Sequence, residues 1–102
     1  MLELTNENEF DSLCQSNEYV LVDFYATWCG PCKTMSQYLN ESVTLMSKVK
    51  CVKVNVEHLV DFCDKHDISS LPTLKLFKNG VDILRLEGSS KTHINTILNL
   101  TK

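Results

Sequence analysis

Two cysteines separated by two residues, Cys29 and Cys32, carry the strongest chemical signal in this sequence. One turn of helix brings side chains at this spacing together, so their sulfurs can form and break a disulfide. At a helix start, four backbone N–H groups lack helical partners, and a thiolate there accepts hydrogen bonds and meets the positive end of the helix dipole. Because both effects lower a thiol pKa, Cys29 is predicted to be the exposed nucleophile and Cys32 the more buried resolving thiol.

The sequence around this pair favours redox chemistry over metal binding. Pro31 lacks an N–H, which costs nothing in a first helical turn, and it stiffens the approach to Cys32. A structural zinc site needs four ligands, but Cys14, Cys51 and Cys63 are scattered and form no second pair. We therefore predict no metal and no bound cofactor. The three single thiols are interpreted as buried packing residues, with Cys63 regulatory only if its helix leaves it exposed.

Alternating strand and helix patterns must position the pair. Val20–Tyr25 is a nearly continuous apolar run, which predicts a central strand covered on both faces, and a helix from Cys32 to Ser47 follows. The other predicted elements are a strand near Leu2–Leu4, a helix capped by Asn6, a strand over Cys51–Val56, a helix with Leu59, Phe62, Cys63 and His66 inward, hairpin strands Leu74–Phe77 and Val81–Leu86 around Asn79-Gly80, and a helix capped by Ser90. This order predicts an α/β domain with a mixed sheet of four or five strands flanked by four helices.

Composition and charge narrow the class of protein. The chain has 102 residues, of which 43% are hydrophobic and 23% charged, so we expect one small domain over residues 1–102. A net charge of -3 without a Lys/Arg-rich block argues against nucleic-acid partners and a polybasic membrane anchor. Residues 1–19 carry acidic side chains and no unbroken apolar stretch, which does not fit a signal peptide. We therefore expect a reducing, cytoplasmic setting.

Over essentially its whole length, the chain resembles the thioredoxin family. The similarity rests on Trp28–Cys32, Val22–Thr27, Lys53–Asn55, Leu71–Thr73, Lys78–Gly80 and Gly88, which follow the family's order. The resemblance implies the thioredoxin fold and a protein-disulfide reductase. In that activity Cys29 attacks a protein disulfide and Cys32 then resolves the mixed disulfide, which leaves the two cysteines joined.

The resemblance also implies how Cys32 loses its proton. Asp23 lies in the central apolar strand, so burial should raise its pKa and let it accept that proton directly or through one water. Lys53 should moderate the shift by favouring the charged carboxylate. Gly30 and Pro31, with no histidine between the cysteines, point to the reducing end of the family's range.

A client-binding surface is implied by three further segments. Leu71, Pro72 and Thr73 resemble the family's cis-proline loop, which presents its backbone to an extended client segment. Trp28 and Gly88 are expected to flank this loop, with Gly88 at a point where partners approach. Main-chain recognition of this kind tolerates many client sequences.

Partners and competing functions complete the sequence interpretation. A chain this short has no room for a flavin or nicotinamide domain, so the resemblance implies a redox carrier reduced by thioredoxin reductase, with clients such as peroxiredoxins or ribonucleotide reductase. Ser70 stands where animal thioredoxins often carry a cysteine, so a monomer is expected. A binding module without redox function is disfavoured because it needs none of Cys29, Cys32, Asp23 and Lys53. An oxidase or isomerase is disfavoured by the dipeptide between the cysteines.

Overall fold

The computed structural model describes residues 1–102, which fold into five strands and four helices joined by loops. The strands are β1 (Leu2–Glu3), β2 (Tyr19–Tyr25), β3 (Val49–Asn55), β4 (Thr73–Lys78) and β5 (Val81–Glu87), and the helices are α1 (Glu7–Ser16), α2 (Gly30–Ser42), α3 (Val60–Lys65) and α4 (Thr92–Leu100). The sheet order is β1-β3-β2-β4-β5; β1, β3 and β2 are parallel, whereas β4 and β5 pair antiparallel. The predicted α/β fold with a mixed sheet and four helices is confirmed. No helix has the length and apolar composition needed to cross a membrane.

β2 lies at the centre of the sheet and is covered on both faces. Leu21 packs in one hydrophobic cluster that includes Met35 of α2 and Ile97 of α4. Phe24 points to the opposite cluster, where it meets Phe62 of α3. Because successive side chains of a strand alternate between faces, a strand buried on both sides reads as a continuous apolar run.

Local capping and turn signals are present where the sequence predicts them. Asn6 caps α1, and its Oδ1 accepts the Glu9 N–H at 2.9 Å. Asn79 and Gly80 both have positive φ, at 51° and 81°, in the two-residue turn that joins β4 to β5. Mirror-image turns of this kind require such φ values, which Asn and Gly adopt most readily. These two signals fix where α1 begins and how the hairpin closes.

Two predicted helix boundaries are wrong. α2 ends at Ser42 rather than Ser47, because the N–H groups of Leu45 and Met46 turn back to Ser42 O and the chain bends to place Met46 in the core, 2% exposed. α4 begins one residue later than a Ser90 cap predicts, since Lys91 occupies the cap position. The Ser90 hydroxyl still accepts a free N–H at this end of the helix, that of Thr92, at 3.3 Å. Both differences fall after residue 42, so they do not affect the start of α2, where the cysteine pair lies.

Candidate active site

Cys29 and Cys32 are joined by a disulfide at the start of α2, directly after β2 and a short loop. Their Cα atoms are 5.3 Å apart, within the usual range for a disulfide. Cys29 is the cap residue of α2, and its Sγ accepts the Cys32 N–H at 3.2 Å. Pro31 lies in the first turn, where its missing N–H leaves no helical hydrogen bond unmade. The predicted position of Cys29 at the helix start is therefore confirmed.

The predicted exposure of Cys29 is wrong for the disulfide-bonded pair. Cys29 is 6% exposed and Cys32 is 3% exposed, so the two are almost equally buried. Cys29 packs with Ala26 in a small apolar cluster against which Leu71 and Val56 also pack. The disulfide itself covers each sulfur with the other. Trp28, the residue before Cys29, is by contrast 70% exposed.

Asp23 is a buried carboxyl in the middle of the sheet. It is 2% exposed, and its Oδ1 has no hydrogen-bond partner. Burial raises its pKa from 3.8 to about 7, and the charge of Lys53, its neighbour on β3, acts in the opposite direction. The predicted burial and raised pKa are confirmed. An acid with a pKa near 7 exchanges a proton readily at neutral pH, which suits a general base or acid.

Asp23 and Cys32 both line a cavity of about 310 Å³ beside the disulfide. Its walls are formed by Asp23, Tyr25, Ala26, Thr27, Cys32, Lys33, Ser36 and Lys53. The cavity has room for water molecules, and Asp23, Thr27, Ser36 and the two lysines supply polar partners in a lining that is otherwise largely apolar. It therefore offers a path along which a proton can pass between the Cys32 thiol and the Asp23 carboxyl.

The loop at Leu71, Pro72 and Thr73 approaches the disulfide from β4. The Leu71–Pro72 peptide bond is cis, as the sequence predicts, and Leu71 packs against the cluster that holds Cys29. The Pro72 carbonyl accepts the Gly88 N–H at 2.9 Å, so Gly88 is tied to the same loop. The N–H and C=O groups of Leu71 have no partner within the chain. This stretch of backbone is free to hydrogen-bond another peptide.

Comparison with known proteins gives a consistent result. A family model described as Thioredoxin matches residues 1–99. The chain belongs to the thioredoxin family. Thioredoxin 1 of Plasmodium falciparum is 36% identical over 95 residues, which cover 93% of this chain and 91% of that protein.

Solved thioredoxin structures are also similar to this one. A Plasmodium falciparum thioredoxin superposes with a TM-score of 0.93 at 33% identity over 100% of both chains. A second structure, from work on thiol resolution in yeast mitochondrial 1-Cys peroxiredoxin via glutathione/thioredoxin systems, superposes with a TM-score of 0.90 at 32% identity. The match covers 97% of this chain and 93% of that one. Cys29 and Cys32 are the redox-active pair of this thioredoxin-family chain, and the family implies disulfide-containing substrates.

Two contacts of this thioredoxin site lie outside the sequence prediction. The Trp28 indole N–H donates to Glu57 Oε1 at 3.2 Å, which holds the exposed ring in place. The Tyr25 hydroxyl donates to Glu3 Oε1, across the edge of the cavity. Glu57 follows β3 by two residues, and the rule that parallel strands end at one sheet edge is the signal that places it near Trp28. No local pattern pairs Glu3 with Tyr25.

The other three thiols of this thioredoxin-family chain are free. Cys51 and Cys63 are buried, and burial raises the pKa of each to about 11. Cys14 is partly buried, and its pKa is also raised, by burial and by Asp11. Their predicted packing role fits this placement. No group of three or more His, Cys, Asp or Glu side chains is arranged to hold a metal ion.

Proposed function

We propose that the chain acts as a protein-disulfide reductase, with Cys29 as nucleophile, Cys32 as resolving thiol and Asp23 as proton acceptor. The observation that carries the proposal is the Cys29–Cys32 disulfide at a helix start, beside a cavity that both Cys32 and Asp23 line. The remaining sites support this chemistry without taking part in bond exchange. Residues 1–102 act in it as one domain.

The first step uses the reduced form. The Cys29 thiolate, stabilised by the Cys32 N–H and the start of α2, attacks one sulfur of a client disulfide. A bond forms between Cys29 Sγ and that sulfur, the client disulfide breaks, and the second client sulfur leaves as a thiolate that takes a proton from water. Gly30 and Pro31 keep the two cysteines at bonding distance in the first turn of the helix.

The second step releases the client. Cys32 passes its proton to Asp23 through the cavity, and its thiolate attacks Cys29 Sγ. The bond between Cys29 and the client breaks, and the departing client thiolate takes up a proton. The client has gained two electrons and two protons, and Cys29 and Cys32 are again joined. Lys53 limits how far the pKa of Asp23 rises, so that the acid can release its proton between cycles.

Client binding is assigned to the surface around the disulfide. Leu71 offers a free N–H and C=O to an extended client segment, and Pro72 and Thr73 hold this backbone beside Cys29. The Trp28 ring covers the apolar part of the client, and Gly88 leaves room for its backbone because it carries no side chain. Such contacts suit many sequences, as a general reductase requires.

The partners follow from the same chemistry. The oxidised pair needs two electrons per cycle, which we assign to thioredoxin reductase, so the chain serves in electron transport between proteins. Peroxiredoxins and ribonucleotide reductase are proposed as clients; the similar structure concerned with a yeast peroxiredoxin supports the first class. We propose that the chain works in the cytoplasm as a monomer, since Ser70 offers no thiol for a dimer-forming disulfide beside the loop.

Reduction of a model protein disulfide, coupled to NADPH consumption by a thioredoxin reductase, tests the proposal. Wild-type protein should turn over, Cys29→Ser should lose activity, and Cys32→Ser should accumulate a mixed disulfide with the client that mass spectrometry detects. Cys14→Ser is the matched control, since it removes a thiol away from the site and should keep full activity. Turnover by Cys29→Ser would contradict the nucleophile assignment, and an inactive wild type would favour a binding module.

A further inference from the structure

Three charged side chains lie in a row across the sheet beside the active-site cavity. Glu3 of β1 is the register partner of Lys53 of β3, and Lys53 is the register partner of Asp23 of β2. Neighbours in parallel register point to the same face of the sheet, so the Lys53 side chain stands between those of Glu3 and Asp23. It makes a direct salt bridge with neither of them. Lys53 is therefore paired with neither acid, although its charge lowers the pKa of Asp23.

Tyr25 contacts both Glu3 and Lys53. It lies two residues after Asp23, on the same face of β2, and its hydroxyl donates to Glu3 Oε1. The Lys53 Nζ lies over the Tyr25 ring, 5.5 Å from its centroid, at a distance typical of a cation–π contact. The phenol stays protonated at neutral pH, because burial and the neighbouring Glu3 raise its pKa to about 12. Glu3 is thus held near Lys53 by a donor that does not titrate.

We propose that Glu3, anchored by the phenol of Tyr25, is a positioning residue for Asp23: it holds the Lys53 ammonium away from the buried carboxyl and keeps that carboxyl able to take the proton of Cys32. The inference rests on the proposed role of Asp23 in the reductase cycle. Glu3 does not line the cavity shared by Asp23 and Cys32, so it acts through Lys53 and through its own charge.

Glu3 should raise the pKa of Asp23 in two ways, directly by charge repulsion and indirectly through Lys53. A negative charge at Glu3 repels an ionised Asp23, and it also draws Lys53 away from Asp23; both favour the protonated acid. Two strand spacings, ~10 Å, separate the positions, and a unit charge at that distance shifts a pKa by ~0.3 unit in water and ~1 unit at an effective dielectric of ~20. Neutralising Glu3 should therefore lower the midpoint of Asp23 titration.

The other groups around Asp23 do not change this sign. On the α2 side of the cavity the titratable neighbours are Cys32 and Lys33, and from β4 the register partner is the uncharged Leu74. On β3 the Cys51 thiol also lies near Asp23, but burial raises its pKa to about 11, so it is uncharged at neutral pH. In the oxidised protein Cys32 does not titrate, because it is in the disulfide. Lys33 is present in every variant considered below, so its charge cancels in the comparison. The oxidised form is therefore the one in which to measure Asp23.

The test is a titration of the Asp23 carboxyl carbon by NMR in the oxidised protein. Glu3→Gln keeps an acceptor for Tyr25 and removes the charge, and it should move the Asp23 midpoint roughly 0.3 to 1 pH unit lower. Tyr25→Phe keeps every charge but frees Glu3, and it should produce a smaller shift in the same direction. Glu18→Gln is the matched control, because it removes the same charge from the opposite end of β2 and should leave Asp23 unmoved.

Repeating the titration in Lys53→Met protein separates the direct effect of Glu3 on Asp23 from the effect that acts through Lys53. In Lys53→Met protein, Glu3→Gln should shift the Asp23 midpoint less than it does in wild-type protein, since only the direct repulsion remains. An equal shift in both backgrounds would overturn Lys53 as the link. An unmoved or raised midpoint in Glu3→Gln, or an equal shift in Glu18→Gln, would overturn the proposal as a whole. Because the titration observes Asp23 itself, a failed reductase assay and a failed inference give different results.

Discussion

Replacing Asp23 with alanine should stabilise the fold at neutral and alkaline pH while slowing client release. The pKa of Asp23 is raised to about 7 from 3.8, so the folded chain binds this proton more tightly than the unfolded chain does. The folded state therefore loses stability as pH rises from about 4 to about 7, and the loss is constant above that range. Alanine cannot ionise, so the variant escapes this loss.

The size of the effect follows from the shift. A shift of about three units at ~1.4 kcal/mol each makes the ionised Asp23 a cost of ~4 kcal/mol to the folded state above pH 7. The void left by the shorter side chain costs about 1 kcal/mol. Asp23→Ala should therefore gain about 3 kcal/mol in the free energy of unfolding at pH 8. At pH 3 the carboxyl is protonated in both the folded and the unfolded chain, so the variant should lose about 1 kcal/mol there.

Urea unfolding of both oxidised proteins at pH 3, 5 and 8 measures this difference, and urea adds no salt. Asp11→Ala is the matched control, because this exposed carboxyl of α1 is solvated by water whether or not the chain is folded. A gain that is no larger at pH 8 than at pH 3 would refute the burial argument. So would an Asp23→Ala protein that unfolds at lower urea than wild type at pH 8.

Three further predictions concern residues outside the redox pair. Asp82→Ala removes the partner of the buried Lys75 ammonium, whose side chain is 6% exposed, and should cost about 2 kcal/mol of stability in urea unfolding. Gly88 has a φ of 87°, so Gly88→Ala should cost about 1 kcal/mol from backbone strain alone, since an added Cβ meets nothing within 4 Å. Burial raises the pKa of Cys63 to about 11 from 9.0, so native protein at pH 8 should alkylate there about 100-fold more slowly than a free cysteine.

Each of these predictions has its own control. Adding Lys75→Met to Asp82→Ala removes the stranded charge and should restore stability; no restoration would contradict the desolvation argument. Gly30→Ala, at a helical position with the same open space, should cost less than Gly88→Ala, and equal losses would argue against strain. Cys63 should react quickly once the chain is unfolded in urea. A fast native reaction would show that this thiol is accessible.

The central part of the fold could be predicted because its signals are local. The apolar run of β2 and the Asn79-Gly80 turn each fix one element without reference to the rest of the chain. The end of α2 could not be predicted in this way. Met46 lies seven residues after Leu39, a spacing that continues a helical stripe, yet its burial is reached by a turn that only the packing of the core selects.

In the active site, too, local features could be predicted and contacts between distant residues could not. The cysteine pair and Asp23 lie on one short stretch of chain, so their spacing predicts a shared site. The contacts of Glu57 with Trp28 and of Glu3 with Tyr25 join residues 29 and 22 positions apart, and nothing in the local pattern marks them. The near-equal burial of the two cysteines also depends on neighbours brought in from elsewhere, among them Leu71.

If Leu71 docks clients as proposed, the hydrogen bond from Gly88 to Pro72 makes client selection a property of the folded chain alone. Cys29 and Cys32 are only three positions apart in the sequence, so even a short fragment can carry both thiols. The backbone at Leu71 that is proposed to dock clients is held in place only when β4 and β5 have paired and the Gly88 N–H has met the Pro72 carbonyl. In the proposed mechanism an unfolded or truncated chain keeps the two thiols but loses the helix start and the docking backbone, so folding supplies both the stabilised Cys29 thiolate and the discrimination among partners.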